Sequence, residues 1–118
     1  MTPALLRKRI KRLAEALGLG DWEFQIVRQE YAAKDVSDLA GCQAKPEYKS
    51  AVLYFDVARI PPEELDSYII HELLHCHIWE LVALTDKLAT TPAEREAIRL
   101  AEERLTTTLE RLFARLLP

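Results

Sequence analysis

Apolar and polar positions follow two periods along this chain, and the changes of period divide it into segments. Between positions 3 and 17, Leu6, Ile10, Leu13 and Leu17 recur every three or four residues, with arginine and lysine on the other face. This spacing predicts an amphipathic helix. Pro3 suits its first turn, and Gly18 and Gly20 suit its end. The period then drops to two. In WEFQIVRQ, positions 22 to 29, Trp22, Phe24 and Ile26 alternate with Glu23, Gln25 and Val27. That is the pattern of a half-buried strand. A polar stretch, QEYAAKDVSD, follows. LAGCQAK (39 to 45) reads as a weaker second strand interrupted by Gly41. KSAVLYFDV (49 to 57) reads as a third, rich in β-branched and aromatic residues. Only PEY separates the last two, which predicts an antiparallel hairpin.

Helical spacing returns in IPPEELDSYIIHELLHCHIWELVAL. Pro61 and Pro62 suit a helix start, and the helix dipole favours Glu63 and Glu64 in the first turn. This helix is expected to run to about Leu84. TDKLATTP then reads as a loop, and a long final helix follows Pro92. Ile98, Leu105, Leu109, Leu112 and Leu116 form its apolar stripe, expected to face the core. The order of helix, three strands, helix and helix implies an α+β fold with a small, mainly antiparallel sheet. A length of 118 residues fits a single domain, 1–118.

Composition narrows the partners. The chain is 49% hydrophobic and 30% charged, as in a soluble globular protein. A formal net charge of -3 gives no electrostatic case for nucleic acid or an anionic membrane surface. No stretch approaches the roughly 20 apolar residues of a membrane span. Basic residues break the opening apolar run, so it does not read as a secretory signal. Cys42 and Cys76 lack C-x-x-C spacing and are expected to be free thiols in a reducing cytoplasm.

The chemistry concentrates in IIHELLHCHIWEL, positions 69 to 81, which holds all three histidines. His71 and His75 frame Glu72 in the pattern H-E-x-x-H. At 3.6 residues per turn, the two imidazoles project from one helix face, one turn apart. Two imidazoles so placed bind one Zn²⁺ at about 2.0–2.1 Å each. Glu72 stands beside the metal's open position, where it takes a proton from water as general base. A helix histidine is often no more than a satisfied core residue. Here the helix is apolar nearly all round, and two unpartnered histidines buried in it would be costly. His77 lies about 160° round the helix from His75, so one metal cannot bind both. Cys76, about 100° from His75, reads as core packing.

The third ligand has to come from elsewhere. The extended pattern H-E-x-x-H-x-x-G-x-x-H fails, because Ile78 and Leu81 stand where its glycine and third histidine would be. No histidine remains outside the motif helix, so a carboxylate should complete the site. The stripe of the final helix needs one more member at Ala101 or Glu102. Glu102 is therefore the expected ligand. Glu103, one step round the helix, is the alternative, and Glu96 comes after them.

At this point the chain resembles the minimal gluzincins, small metallopeptidases found in bacteria and phages. PEYKSAVLYFDVARIPPEELDSYIIHELLH looks like their strand, Pro-Glu-rich start and motif helix, and LAEERLTTTLERLF looks like their glutamate helix. The resemblance covers roughly positions 20 to 116. It implies a zincin-like fold and zinc held by His71, His75 and a glutamate matching Glu102 or Glu103, with Glu72 as general base. It also implies a peptide or protein substrate that pairs with the strand nearest the cleft, here KSAVLYFDV. Larger zincins often stabilise the oxyanion with a Tyr, His or Arg. The candidates here are Tyr48, Tyr54 and Tyr68. The leading expectation is a zinc-dependent peptidase. The alternative is a non-catalytic, metal-stabilised binding or regulatory module. A metal-free helical adaptor is a third.

Overall fold

Thr2 starts the first helix, α1 (Pro3–Ala16): its hydroxyl accepts the Leu5 backbone N–H at 3.2 Å. Pro3 follows the cap, where a missing N–H costs nothing. The helix stops at Gly18, whose φ of 80° lies in the left-handed region that glycine adopts freely. The computed structural model describes residues 1–28 and 39–117, and all their side chains except that of Glu80. The polar stretch between the first two strands therefore lies outside the described residues.

Among the described residues, three strands form one sheet: β1 (Glu23–Arg28), β2 (Ala40–Lys45) and β3 (Ser50–Phe55), in the order β1-β3-β2. The expected hairpin is present, with β2 antiparallel to β3 and Cys42 opposite Leu53. A single turn of 3-10 helix, Pro46–Tyr48, closes it, and Lys49 leaves that turn at φ 48°. The expectation of a mainly antiparallel sheet is corrected by the other pairing. β1 runs parallel to β3, with Ile26 opposite Leu53, so the sheet is mixed. The reason is topological: β2 takes the far side of β3 rather than the side of β1. β3 thus fills the middle position and runs in the direction of β1.

This order also overturns the expectation that KSAVLYFDV borders the cleft. Both edges of β3 are already paired, which leaves it no backbone groups for a further strand. Among the described residues, β2 is the edge strand on that side. β3 instead builds the core, with Ala51, Leu53 and Phe55 buried on one face. Leu6, Ile10 and Leu13 of α1 join the same cluster.

The motif helix, α2 (Leu65–Leu88), follows a 3-10 turn at Pro62–Glu64. Ile69, Ile70, Leu73, Leu74 and Cys76 sink into the core. Each such aliphatic burial contributes roughly 1.5–3 kcal/mol, which fixes the rotation of this helix and so the direction of its histidines. Arg9 of α1 adds an ion pair to Asp66 at 3.2 Å. α2 runs one turn beyond the expected end at Leu84. Nothing between Thr85 and Leu88 breaks a helix, and the Thr85 hydroxyl donates to the Val82 carbonyl at 2.9 Å.

The final helix, α3 (Pro92–Leu116), is capped by Thr91, whose hydroxyl accepts the Glu94 N–H at 3.1 Å. The carboxylate of Glu94 returns the cap by accepting from Thr90 and Thr91. The stripe expected to face the core is corrected. Leu105, Leu112 and Leu116 are exposed. The inward side carries Glu102, Thr106, Leu109, Glu110 and Phe113. It is polar because it faces two imidazoles as well as hydrocarbon. Among the described residues, no helix is long and apolar enough to cross a membrane.

Candidate metal centre

α2 and α3 lie side by side, and a cavity of about 730 Å³ opens between them and β2. His71, Glu72 and His75 enter it from α2. Arg99, Glu102, Glu103 and Glu110 enter it from α3, and Leu39 to Cys42 form the strand wall. The rings of His71 and His75 stand 5.0 Å apart, centroid to centroid, and are steeply inclined to each other. Glu72 and His75 are buried, and the His71 side chain is 17% exposed. One turn of helix places the two imidazoles together, as the spacing requires.

The carboxylates divide into two sets by the nitrogen they face. Glu103 reaches both Nε2 atoms, at 3.2 Å from His75 and 3.5 Å from His71. Glu102 accepts the Nδ1–H of His75 at 2.7 Å. Glu110 stands 3.3 Å from Nδ1 of His71. One nitrogen atom of each histidine and one oxygen of Glu103 lie within 4.8 Å of one another.

These distances test whether the residues suit zinc. Ligand atoms held at about 2.0–2.1 Å around a tetrahedral ion stand roughly 3.3 Å apart. Glu103 faces the two imidazoles with different oxygens, Oε1 at 3.2 Å from Nε2 of His75 and Oε2 at 3.5 Å from Nε2 of His71, and each nitrogen–oxygen separation lies near that value. The donor set of two imidazoles and a carboxylate suits zinc and leaves a fourth position open. The Glu102 carboxylate on Nδ1 of His75 fixes the tautomer whose Nε2 lone pair is available to a metal, and Glu110 stands near the corresponding atom of His71. Charge points the same way. Among the described residues, four carboxylates line the cavity against the single guanidinium of Arg99, and crowded carboxylates need a cation. Arg99 is itself engaged by Glu96 at 2.6 Å. That pair holds the Glu96 carboxyl below its ordinary range and raises the Arg99 guanidinium.

The structure brings His71, Glu72, His75, Glu102 and Glu103 into one cavity and separates the last two by the imidazole nitrogens they face. Glu103, the alternative, faces the shared position, and Glu102 lies behind His75. Glu96 lies outside the cavity lining. His77 is exposed on the far side of α2 and donates to the Leu17 carbonyl at 2.6 Å. Of the three tyrosines, only Tyr68 lines the cavity. Tyr48 is 75% exposed, and Tyr54 donates to Gln43.

Two residues escape the sequence reading. Glu110 lies seven residues after Glu103, two turns along the same face, and that spacing was its signal. Arg99 lies one turn before Glu103. The thiols of Cys42 and Cys76 also meet beside the cavity, 3.7 Å apart. Contact with Cys76 first, and then burial, raises the Cys42 thiol well above its ordinary value.

No protein-family model, curated protein or solved structure matches this chain.

Proposed function

We propose that this protein is a zinc-dependent peptidase of the gluzincin type. Its metal is held by His71, His75 and Glu103, and its general base is Glu72. The observation that carries the reading is the approach of the Glu103 carboxylate to both Nε2 atoms, one oxygen to each, beside the buried Glu72, with one ligand atom of His71, His75 and Glu103 all within 4.8 Å of one another.

Zinc, when bound, supplies a Lewis acid that polarises the scissile carbonyl and lowers the pKa of water toward about 7. The chain's own residues do the rest. Glu102 and Glu110 orient the imidazoles through their Nδ1 atoms, a support typically worth 10–100-fold in metal affinity. Glu72 takes the proton of the attacking water and delivers it to the leaving amine nitrogen. Such positioned acid–base work contributes about 10²–10⁴-fold. Tyr68 and Arg99 line the same cavity. They are the side chains available to a developing oxyanion or to a substrate carboxylate.

The substrate runs as an extended peptide beside β2. Among the described residues, the outer edge of β2 pairs with no other strand, and its Ala40 to Cys42 segment forms the cavity wall. Backbone hydrogen bonds to such an edge bind peptides with little regard for sequence.

The experiment is cleavage of an unstructured peptide mixture with zinc present, by the wild type and by Glu72→Gln. A loss of at least about 100-fold in the variant, with zinc still bound, is expected. Equal cleavage by both removes Glu72 from the mechanism. No cleavage by either supports the metal-stabilised binding module instead.

A further inference from the structure

The two thiols occupy a junction that the peptidase reading does not use. Cys42 sits on β2, in the wall of the cavity, and Cys76 follows His75 on α2. The two cysteines are 34 positions apart in sequence, yet their sulfurs are 3.7 Å apart. A disulfide needs about 2.05 Å, so closure requires an approach of less than about 2 Å. The side that gives way is β2. Among the described residues it pairs along one edge only, with β3, whereas α2 around Cys76 is fixed in the core. Access is unequal as well. Cys42 is half-buried and lines the cavity, whereas Cys76 is buried behind it.

We infer that Cys42 and Cys76 form an oxidisable pair, closed to a disulfide by a small peroxide entering the cavity, which ties the edge strand to the motif helix. The Cys42 sulfur, whose thiol is held above its ordinary value by Cys76 and by burial and therefore reacts slowly, attacks one peroxide oxygen as the thiolate, water leaves, and a sulfenic acid remains. The Cys76 sulfur attacks that sulfenic sulfur, the S–S bond forms, and a second water leaves. Two thiols and one hydrogen peroxide give one disulfide and two waters, with two electrons passing from the sulfurs to the peroxide. The bond fastens the segment that forms the cavity wall beside His75, so the oxidised chain holds its cavity in one fixed shape. It also closes a long loop, which restricts the unfolded chain and raises stability.

The test treats the full-length chain with excess hydrogen peroxide and maps its peptides by mass spectrometry without reduction. The expected product is a monomer with the Cys42 and Cys76 peptides joined. Its melting temperature should rise by several degrees and fall back on adding dithiothreitol. Cys42→Ser and Cys76→Ala should each abolish the joined peptide and the shift. Oxidation of Cys42 to sulfinic acid with Cys76 untouched, a disulfide between two chains, or no reaction at all overturns the inference. Joined peptides in the absence of peptidase activity still support it, because the readout is a mass and requires no catalysis.

Discussion

The Glu102 carboxylate accepts the Nδ1–H of His75 at 2.7 Å, while its sequence neighbour Glu103 faces the Nε2 side of the same ring at 3.2 Å. Adjacent residues on one helix thus address opposite ends of one imidazole. The two positions should behave differently on substitution. Glu102→Gln keeps a hydrogen-bond acceptor on Nδ1 and should weaken zinc binding by about 10–100-fold. Glu103→Ala removes a ligand and should weaken it further. Competition with a chromophoric chelator measures both. The reverse ranking would make Glu102 the ligand.

A site whose ligands come from two helices should couple metal binding to folding. His71 and His75 belong to α2, and Glu103 belongs to α3. Free zinc at 100 times its dissociation constant stabilises the folded chain by about 2.7 kcal/mol. That corresponds to a melting temperature higher by on the order of 10 °C. Scanning calorimetry with and without a chelator reads this difference. An unchanged melting temperature would show that the metal does not bridge the two helices.

The start of α3 sets the register of Arg99, Glu102 and Glu103, and Glu94 secures it. Hydrogen bonds from Thr90, and then from Thr91, hold the Glu94 carboxyl below its ordinary value of 4.5. A carboxyl lowered on folding contributes stability that is present above its unfolded value and is lost as pH falls through its folded value. Glu94→Gln should therefore be less stable than the wild type at pH 7, with the gap closing at a pH well below 4.5. Urea unfolding at the two pH values measures it. A gap that persists at low pH would mean that the carboxylate charge plays no part in the cap.

The elements were largely legible because each carries its own period and punctuation. α1 was marked by Pro3, Gly18 and its three-and-four spacing, and β3 by an unbroken run of strand formers. The sheet order was not legible, since nothing in LAGCQAK says which side of β3 it takes. His71, Glu72 and His75 were readable because their geometry is local to one helix. Which nitrogens Glu102 and Glu103 face was not, because it depends on how α3 is rotated against α2. The leucines suggested one rotation. The packed helix adopts another, in which Leu105 and Leu112 are exposed and three glutamates face the histidines. A stripe of hydrocarbon marks the inward face only when that face meets hydrocarbon, and part of this one meets imidazole.

The central claim is a zinc ion held by His71, His75 and Glu103, and anomalous diffraction tests it most directly. Crystals grown with zinc are measured just above and just below the zinc absorption edge. The account predicts one strong anomalous peak at about 2.0–2.1 Å from the Nε2 atoms of both histidines and from a Glu103 oxygen, with Glu102 and Glu110 outside that shell. A peak bound by other residues, or none between the two imidazoles, would contradict it.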